Sequence, residues 1–447
     1  MGKKEIDFSL KMSILDEVKQ YVDGMKKDDD WISYSGPNTD SNEIAAAVES
    51  LLDGWFIFGK KAREFEKKFA IHLGKVHGVF VNSGSSANLL AWAALASKNG
   101  YNLPAGAKVI TPVVCFPTTL NPIIQNGFTP VFVDVTLPDL NLDLDQVERL
   151  LAADEKKEIR AITFAHVLGN PPDMHRLVEL VWKYDLIFVE DACDALGSTY
   201  RDMKLGSYGH ISTCSFFPAH HMTTLEGGYV ATDNPKIQRC LTSLRDWGRE
   251  CYCNANKPGN VTSGTACKNR FQKWLPGLPD VTYDHRYVFG EIGYNLKPLE
   301  LQGAVGLEQL KKLPAMDEAR RFNFLEMKST FYPRRKYFHS PRATDGSDPC
   351  WFAYLLTIRE DAPFTREEFV AHLEKNKIQT RAYFSGNILA HPGYNHLAEG
   401  YDMEKDFPVA NLVTTNSFFL GTYIGLTEEK MLKIEEVVDD FFAARRL

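Results

Sequence analysis

The 447-residue sequence predicts an α/β protein in which a mainly parallel sheet is wrapped by helices and followed by a smaller C-terminal α/β unit. Two patterns predict it. Short apolar runs alternate with amphipathic stretches from Val79 onward, the signature of strands joined by helical crossovers. Several of those runs end on polar groups, Asn82-Ser83-Gly84 after one and Glu190-Asp191 closing another, as strands that open onto a crevice do. A hydrophobic content of 44% and a charged content of 24% suit an ordinary globular chain with a large core. The net charge of -7 argues against a nucleic-acid or anionic-membrane surface.

Along the chain, residues 1–54 read as an N-terminal helical segment, charged over its first thirty positions. After Trp55 a turn leads into an amphipathic helix with Phe65, Phe69 and Leu73 on one face and Gly74 as its stop. Strands are expected at 79–82, 108–111, 131–135, 159–165, 186–190 and 211–217, separated by helices beginning near Ser86, Thr118, Leu144 and Asp173. A large domain over 55–316 contains them. Between Arg249 and Arg286 the periodicity fails and Gly, Pro and Asn dominate, so 249–286 is expected to be a long functional loop. A small domain over 317–447 should hold a strand at 352–358, a helix at 366–376, a strand at 380–384 and a terminal helix at 428–445. The first residues lack a signal-peptide apolar core and no run of about 18 apolar residues occurs, which predicts a cytoplasmic protein.

Eight cysteines in such a chain suggest packing residues or metal ligands before disulfides. Cys251 and Cys253 are one residue apart, Cys267 follows after 13 intervening residues, and Cys193 precedes Cys251 by 57. Four thiolates suit a [2Fe–2S] cluster or structural zinc, and spacing alone favours zinc.

Gly84, Ser85 and Ser86 open a helix after a short strand, where N–H groups and hydroxyls can hold a phosphate, although mere capping is the commoner reason for such a turn. Asp191 at a strand's carboxyl end is either a helix cap or a crevice carboxylate. Phe116, in the run T-P-V-V-C-F-P-T-T, would by itself be read as core. The stretch C-S-F-F-P-A-H-H-M-T-T-L-E-G-G-Y-V, from Cys214 to Val230, is a strand broken at Pro218, with two histidines and a Gly-Gly pair that lets the chain turn into a second strand.

Together these motifs resemble the DegT/DnrJ/EryC1/StrS family of sugar aminotransferases, from about Trp55 to the C-terminus. The resemblance implies a fold-type I pyridoxal-phosphate enzyme, built like aspartate aminotransferase. It also implies a phosphate site at Gly84, Ser85, Ser86 and Ser215, Phe116 stacked on the pyridine ring, and Asp191 on the pyridine nitrogen. Asn295, within G-Y-N-L-K, would reach the phosphate site of the neighbouring subunit in a homodimer. Where the family pattern S-F-x-x-x-K-x-x-T-T-x-E-G-G has its cofactor-bearing lysine, this chain has His220, and no lysine lies between Lys204 and Lys236. Imidazole cannot form an imine but can move a proton near neutral pH.

Histidine for lysine, combined with the cysteines, resembles the iron–sulfur 3-dehydrase branch of the family. That branch implies Cys193, Cys251, Cys253 and Cys267 as ligands of a [2Fe–2S] cluster, though the loop before Cys267 is longer than the branch's own. The implied activity is pyridoxamine-phosphate-dependent removal of the C3 hydroxyl from a nucleotide-linked 4-keto-6-deoxyhexose, with CDP-4-keto-6-deoxyglucose favoured. His220 would be the base, and a separate NADH-dependent flavin reductase the electron donor. The alternatives are a cluster-free 3-dehydratase and a non-catalytic protein that kept the fold. Arg381, Ser385 and Asn387 are candidate sugar contacts or parts of a solvated loop.

Overall fold

Five- to seven-residue apolar runs form the strands of a central sheet in the computed structural model, which describes residues 8–25, 30–250 and 270–447. The strands are β1 (His77–Val81), β2 (Lys108–Pro112), β3 (Thr129–Val133), β4 (Ile159–Ala165), β5 (Ile187–Asp191), β6 (Ile211–Ser215) and β7 (Gly228–Thr232). Their spatial order is β1-β7-β6-β5-β4-β2-β3. All neighbours are parallel except β7, which runs antiparallel to both β1 and β6. Such a sheet is buried on both faces, and the strand interiors are accordingly near-continuous apolar sequence.

One apolar layer, with Leu90, Leu120 and Leu241, covers one face of the sheet. A second, with Phe65, Phe69, Leu177 and Val181, covers the other. The expected helix after Trp55 is Lys60–Leu73, and Phe65, Phe69 and Leu73 are all buried. It ends where Gly74 takes a left-handed φ of 82°, a conformation that glycine adopts without strain. Phe65 and Phe69 meet Phe216 edge-on at centroid distances of 5.3 and 4.8 Å. Those contacts fix the end of β6 and hence the loop that follows.

A smaller sheet orders Phe338–His339, Ala353–Ile358 and Ser417–Gly421, with the middle strand antiparallel to both neighbours. The strand expected over 380–384 does not form. Only Arg381 pairs, as an isolated bridge with Phe419, because Phe384 turns the chain with a left-handed φ of 45°. The third strand is instead Ser417–Gly421, which the sequence reading passed over.

A 32-residue helix, Glu300–Phe331, was also unforeseen, and the expected division at residue 317 falls inside it. It shows no single apolar stripe because it packs first on the large unit and then on the small sheet. Its crossing of Lys60–Leu73 is close: a Cβ on Gly303 would stand 2.3 Å from the Ala62 Cα. The N-terminal helix Phe8–Gly24 buries only Leu15. In the expected 249–286 loop the described part holds a two-residue ladder, Phe271–Gln272 against Tyr283–Asp284. Among the described residues no helix is long and apolar enough to cross a membrane.

Candidate active site

The carboxyl ends of β1, β4, β5 and β6 open onto one cavity of about 790 Å³, closed on its far side by Phe419 of the smaller sheet, by Phe352 just before its middle strand and by Arg381, bridged to Phe419. Gly84, Ser85, Phe116, Asp191, Cys193, Ser215 and His220, widely spaced in sequence, all line it.

At one end, β1 runs through Asn82 into the helix Gly84–Ala96, whose N-cap Ser83 accepts the Ser86 N–H at 3.0 Å. Ser86 is thus engaged in the cap, and it is the Gly84 and Ser85 side of the turn that faces the cavity. Ser215, at the end of β6, stands against this turn: a Cβ on Gly84 would lie 2.5 Å from the Ser215 Cβ. A Cβ on Gly228 would lie 2.1 Å from the Ser83 carbonyl oxygen. First-turn N–H groups and a hydroxyl converging at a positive helix end make an anion cradle.

Strand alternation sends Glu190 and Asp191 to opposite faces. Glu190 is fully buried away from the cavity, where His166 Nε2 lies 3.0 Å from it and the N–H groups of Gly206, Tyr208 and Gly209 donate to it. Burial works to raise its pKa, but the His166 and backbone hydrogen bonds outweigh it and hold the pKa low. It is a structural carboxylate. Asp191 faces the cavity, where its Oδ2 accepts from Asn88 Nδ2 at 3.0 Å and from Thr119 Oγ1 at 2.8 Å, and its Oδ1 accepts from the Cys193 N–H at 3.1 Å. Thr213 Oγ1 in turn donates to Asn88 Oδ1 at 2.6 Å. Sequence reasoning missed Asn88 and Thr119. Asn88 sits one helical turn after Gly84, so its place on the same helix face was the available signal.

Phe116 is not core. It caps the helix Pro117–Gln125, is 51% exposed, and presents its ring to the cavity. An apolar ring left open inside a polar-ended cavity is a stacking surface.

The loop after β6 is held shut by its own backbone: Phe216 N–H donates to Gly227 O at 2.9 Å, Thr224 N–H to Phe216 O at 3.2 Å, and Thr223 Oγ1 to the same carbonyl at 2.9 Å. The left-handed residue is Leu225, at φ 72°, and neither Gly227 nor Gly228 has positive φ. The Gly-Gly pair therefore serves close approach, not the turn expected from the sequence. A Cβ on Gly227 would lie 2.0 Å from Thr224 Oγ1.

The loop turns its two histidines apart. His221 is buried, with Nε2 2.9 Å from the Cys350 carbonyl oxygen, and burial pushes its pKa well below the usual imidazole value. His220 lines the cavity, its ring 5.5 Å from that of Phe352. Its Nδ1 stands 3.2 Å from Asp194 Oδ1 but off the hydrogen-bond direction, and has no hydrogen-bond partner among the described residues. Asp194 was not foreseen. It comes from the turn after β5, one residue beyond Cys193.

Cys193 lines the cavity beside Asp191, and burial raises its thiol pKa well above the usual value. Cys251, Cys253 and Cys267 lie outside the described residues, and the described residues alone contain no group of three or more side chains that could hold a metal ion. Asn295 is exposed and outside the cavity lining, its Oδ1 accepting from Lys297 Nζ at 2.7 Å. Of the three candidate sugar contacts only Arg381 lines the cavity. Asn387 is fully buried and bonds Asn411, and the Ser385 hydroxyl donates to the Cys115 carbonyl, so both are structural.

Comparison with known proteins agrees with this architecture. The chain is 41% identical over 411 residues to the dTDP-4-dehydro-2,6-dideoxy-D-glucose 3-dehydratase of Saccharopolyspora spinosa, covering 92% of this chain and 86% of that one. It is 40% identical over 410 residues to the lipopolysaccharide biosynthesis protein RfbH of Salmonella typhimurium, covering 91% of each. The solved structure of E. coli GDP-4-keto-6-deoxy-D-mannose-3-dehydratase with bound hydrated PLP is 29% identical. It superposes with a TM-score of 0.78 over 91% of this chain and 100% of that one. The fold is that of the fold-type I pyridoxal enzymes. Residues 37–440 match the model of the DegT/DnrJ/EryC1/StrS aminotransferase family, and the chain belongs to that family.

Proposed function

We propose that this protein is a pyridoxamine-phosphate-dependent dehydrase that removes the C3 hydroxyl of a nucleotide-linked 4-keto-6-deoxyhexose, CDP-4-keto-6-deoxyglucose being the favoured substrate. The single observation that carries the reading is His220. It faces the cavity from the loop position where an aminotransferase of this family would carry lysine, with the anion cradle, the Asp191 carboxylate and the Phe116 ring lining the same cavity.

The donor set fits pyridoxamine phosphate. Gly84, Ser85 and Ser215 would hold its phosphate, with Ser86 engaged by the Ser83 cap, while Asp191 would hold its ring nitrogen and Phe116 its ring face. When bound, that cofactor supplies an amine for the sugar's keto carbon and a ring that accepts electron density. Asn88 and Thr119 fix the Asp191 carboxylate, which would pair with the ring nitrogen. His220 would be the base toward the cofactor's C4′ carbon. Asp194 beside Nδ1 favours the tautomer with the proton there, leaving the Nε2 lone pair to act as base, and steadies the imidazolium that forms. Off-line geometry at such a pair is common before substrate arrives.

Replacing C–OH by C–H at C3 releases water and consumes two electrons and two protons. We assign the electrons to NADH through a separate flavin reductase, and to a [2Fe–2S] cluster on Cys193, Cys251, Cys253 and Cys267, a group that passes electrons singly. Cys193 supports this by lining the cavity beside Asp191. The likeness to the E. coli dehydratase favours a second reading, a cluster-free 3-dehydratase. We further propose a cytoplasmic location and a homodimer, the dimer being supported by the exposed apolar surface at Trp247, Tyr287, Phe289 and Ile292 close in sequence to Asn295.

The test is incubation with pyridoxamine phosphate, CDP-4-keto-6-deoxyglucose, reductase and NADH. A 3,6-dideoxy-4-ketosugar is expected, with iron and sulfide in the protein. A 4-amino sugar as product would sink the dehydrase reading. Dehydration by iron-free protein, with no effect of NADH, would establish the second reading instead.

A further inference from the structure

We propose that Arg381 is the group that receives the diphosphate of the substrate. This deepens the nucleotide-sugar reading above and rests on it.

The charge of the cavity carries the argument. Its described lining includes three carboxylates, Asp191, Asp194 and Glu226, and apart from the imidazole of His220 the sole cationic side chain is Arg381. A nucleotide-linked sugar brings a diphosphate into a chamber whose charged lining is mostly carboxylate, and like charges in a partly desolvated site repel strongly. The anion cradle at Gly84 and Ser215 lies at the end that the cofactor phosphate would occupy. A second phosphate group therefore needs its own cation, and Arg381 is the one the lining offers.

Arg381 is also built to accept an anion. Its Nη1 donates to the Thr380 carbonyl at 2.8 Å, its guanidinium lies over the Tyr34 ring with Cζ 4.4 Å from the centroid, and it pairs with no carboxylate among the described residues. Most of its five N–H donors thus remain for a ligand, in the planar fork that matches phosphate oxygens. The backbone beneath it is pinned on both sides. Arg381 exchanges hydrogen bonds with Phe419 at 3.2 and 2.7 Å, while Gln379 N–H donates to Ile32 O at 2.9 Å and its Oε1 accepts from the Tyr34 N–H at 3.2 Å. The same bonds bring Tyr34, from the N-terminal segment, under the guanidinium. A planar cation stacked on a fixed ring pays less ordering entropy on binding than a free surface arginine.

The wall between Arg381 and His220 is a row of aromatic rings. Tyr34 meets Phe419 at 5.9 Å, Phe419 meets Phe352 at 6.2 Å, and Phe352 meets His220 at 5.5 Å. A sugar laid along that apolar wall with its diphosphate on Arg381 would present its far carbons to the imidazole. Arg381 touches no base in this arrangement, so it selects for the diphosphate and leaves nucleotide identity to other residues.

The test is calorimetric titration of the pyridoxamine-phosphate-loaded protein with CDP, dTDP, GDP and UDP, and with cytidine as the uncharged control. The unmodified protein should bind at least one diphosphate. Arg381→Gln should weaken that diphosphate by about 10- to 100-fold, the worth of a charge-assisted pair, and Arg381→Lys should fall between. Cytidine binding and the absorbance of the bound cofactor should be the same in all three proteins. If Arg381→Gln binds the diphosphate within about twofold of the unmodified protein, the assignment is overturned while the nucleotide-sugar reading stands. If the unmodified protein binds none of the four, the nucleotide-sugar reading falls and Arg381 falls with it.

Discussion

Nδ1 of His220 stands 3.2 Å from Oδ1 of Asp194 at the edge of the cavity, with no other partner for that nitrogen among the described residues. The pair joins the loop after β6 to the turn after β5. It gives His220 an orienting carboxylate that the adjacent His221 lacks, since His221 spends its Nε2 on a backbone carbonyl.

The first prediction follows from that pair. Exchange of the cofactor's C4′ proton in heavy water, followed by mass spectrometry, should drop by about 10²- to 10⁴-fold in His220→Asn, the usual worth of a positioned general base. Asp194→Asn should lose about 10- to 100-fold, as for a hydrogen bond to a charged group. His221→Asn should keep the exchange rate and lose stability. Exchange that dies in His221→Asn and survives in His220→Asn would reverse the assignment.

Gly84 and Ser215 yield the second. A methyl at Gly84 meets the Ser215 Cβ at 2.5 Å and Oγ at 2.6 Å, inside the anion cradle. Gly84→Ala should therefore weaken pyridoxamine phosphate binding by at least about tenfold in an absorbance titration, a modest steric cost by the scale of overpacked sites. Adding Ser215→Gly should restore part of the affinity by removing the atoms struck first. Unchanged affinity in Gly84→Ala would remove the phosphate from this turn.

Cysteine chemistry yields the third. Anaerobically purified protein should hold about two iron and two sulfide per chain, as a [2Fe–2S] centre requires. Cys193→Ser, Cys251→Ser or Cys253→Ser should lose them. Cluster-free protein should still exchange the C4′ proton yet form no 3,6-dideoxy product with reductase and NADH. Zinc in place of iron would make the cysteines structural.

A fourth prediction concerns stability. Asp317, half-buried beneath Gly197 and 3.4 Å from the Cys350 Sγ, has its pKa raised from 3.8 to about 6, chiefly by desolvation. Between about pH 4 and 6 the folded protein thus binds more protons at this site than the unfolded chain, and stability falls as pH rises through that window. Above it the cost levels off at about 3 kcal/mol, from the roughly two-unit shift. Asp317→Asn should raise the melting temperature at pH 7.5 and flatten the profile between pH 4 and 6. A lower melting temperature at pH 7.5 would show that the charged form is stabilised by Arg320 and Arg321 more than burial opposes it.

What the sequence by itself determined was the periodic and the local. The strand Ile159–Ala165 and the helices Leu144–Ala153 and Glu428–Arg445 match their expected spans, because each buries one repeating face or a continuous apolar run. That Gly84, Asp191, Ser215 and His220 would line a crevice was legible because each ends or follows such a run. Only the tertiary structure decided which neighbours complete them. The Asn88 and Thr119 bonds to Asp191 and the Asp194 contact with His220 join residues whose partners lie on separate elements or turns, and no sequence spacing encodes those meetings. The helix Glu300–Phe331 escaped detection because it changes buried faces as it passes from one unit to the other. His220 and His221 are equivalent on paper. The fold separates them by burying one against the Cys350 carbonyl and opening the other to the cavity.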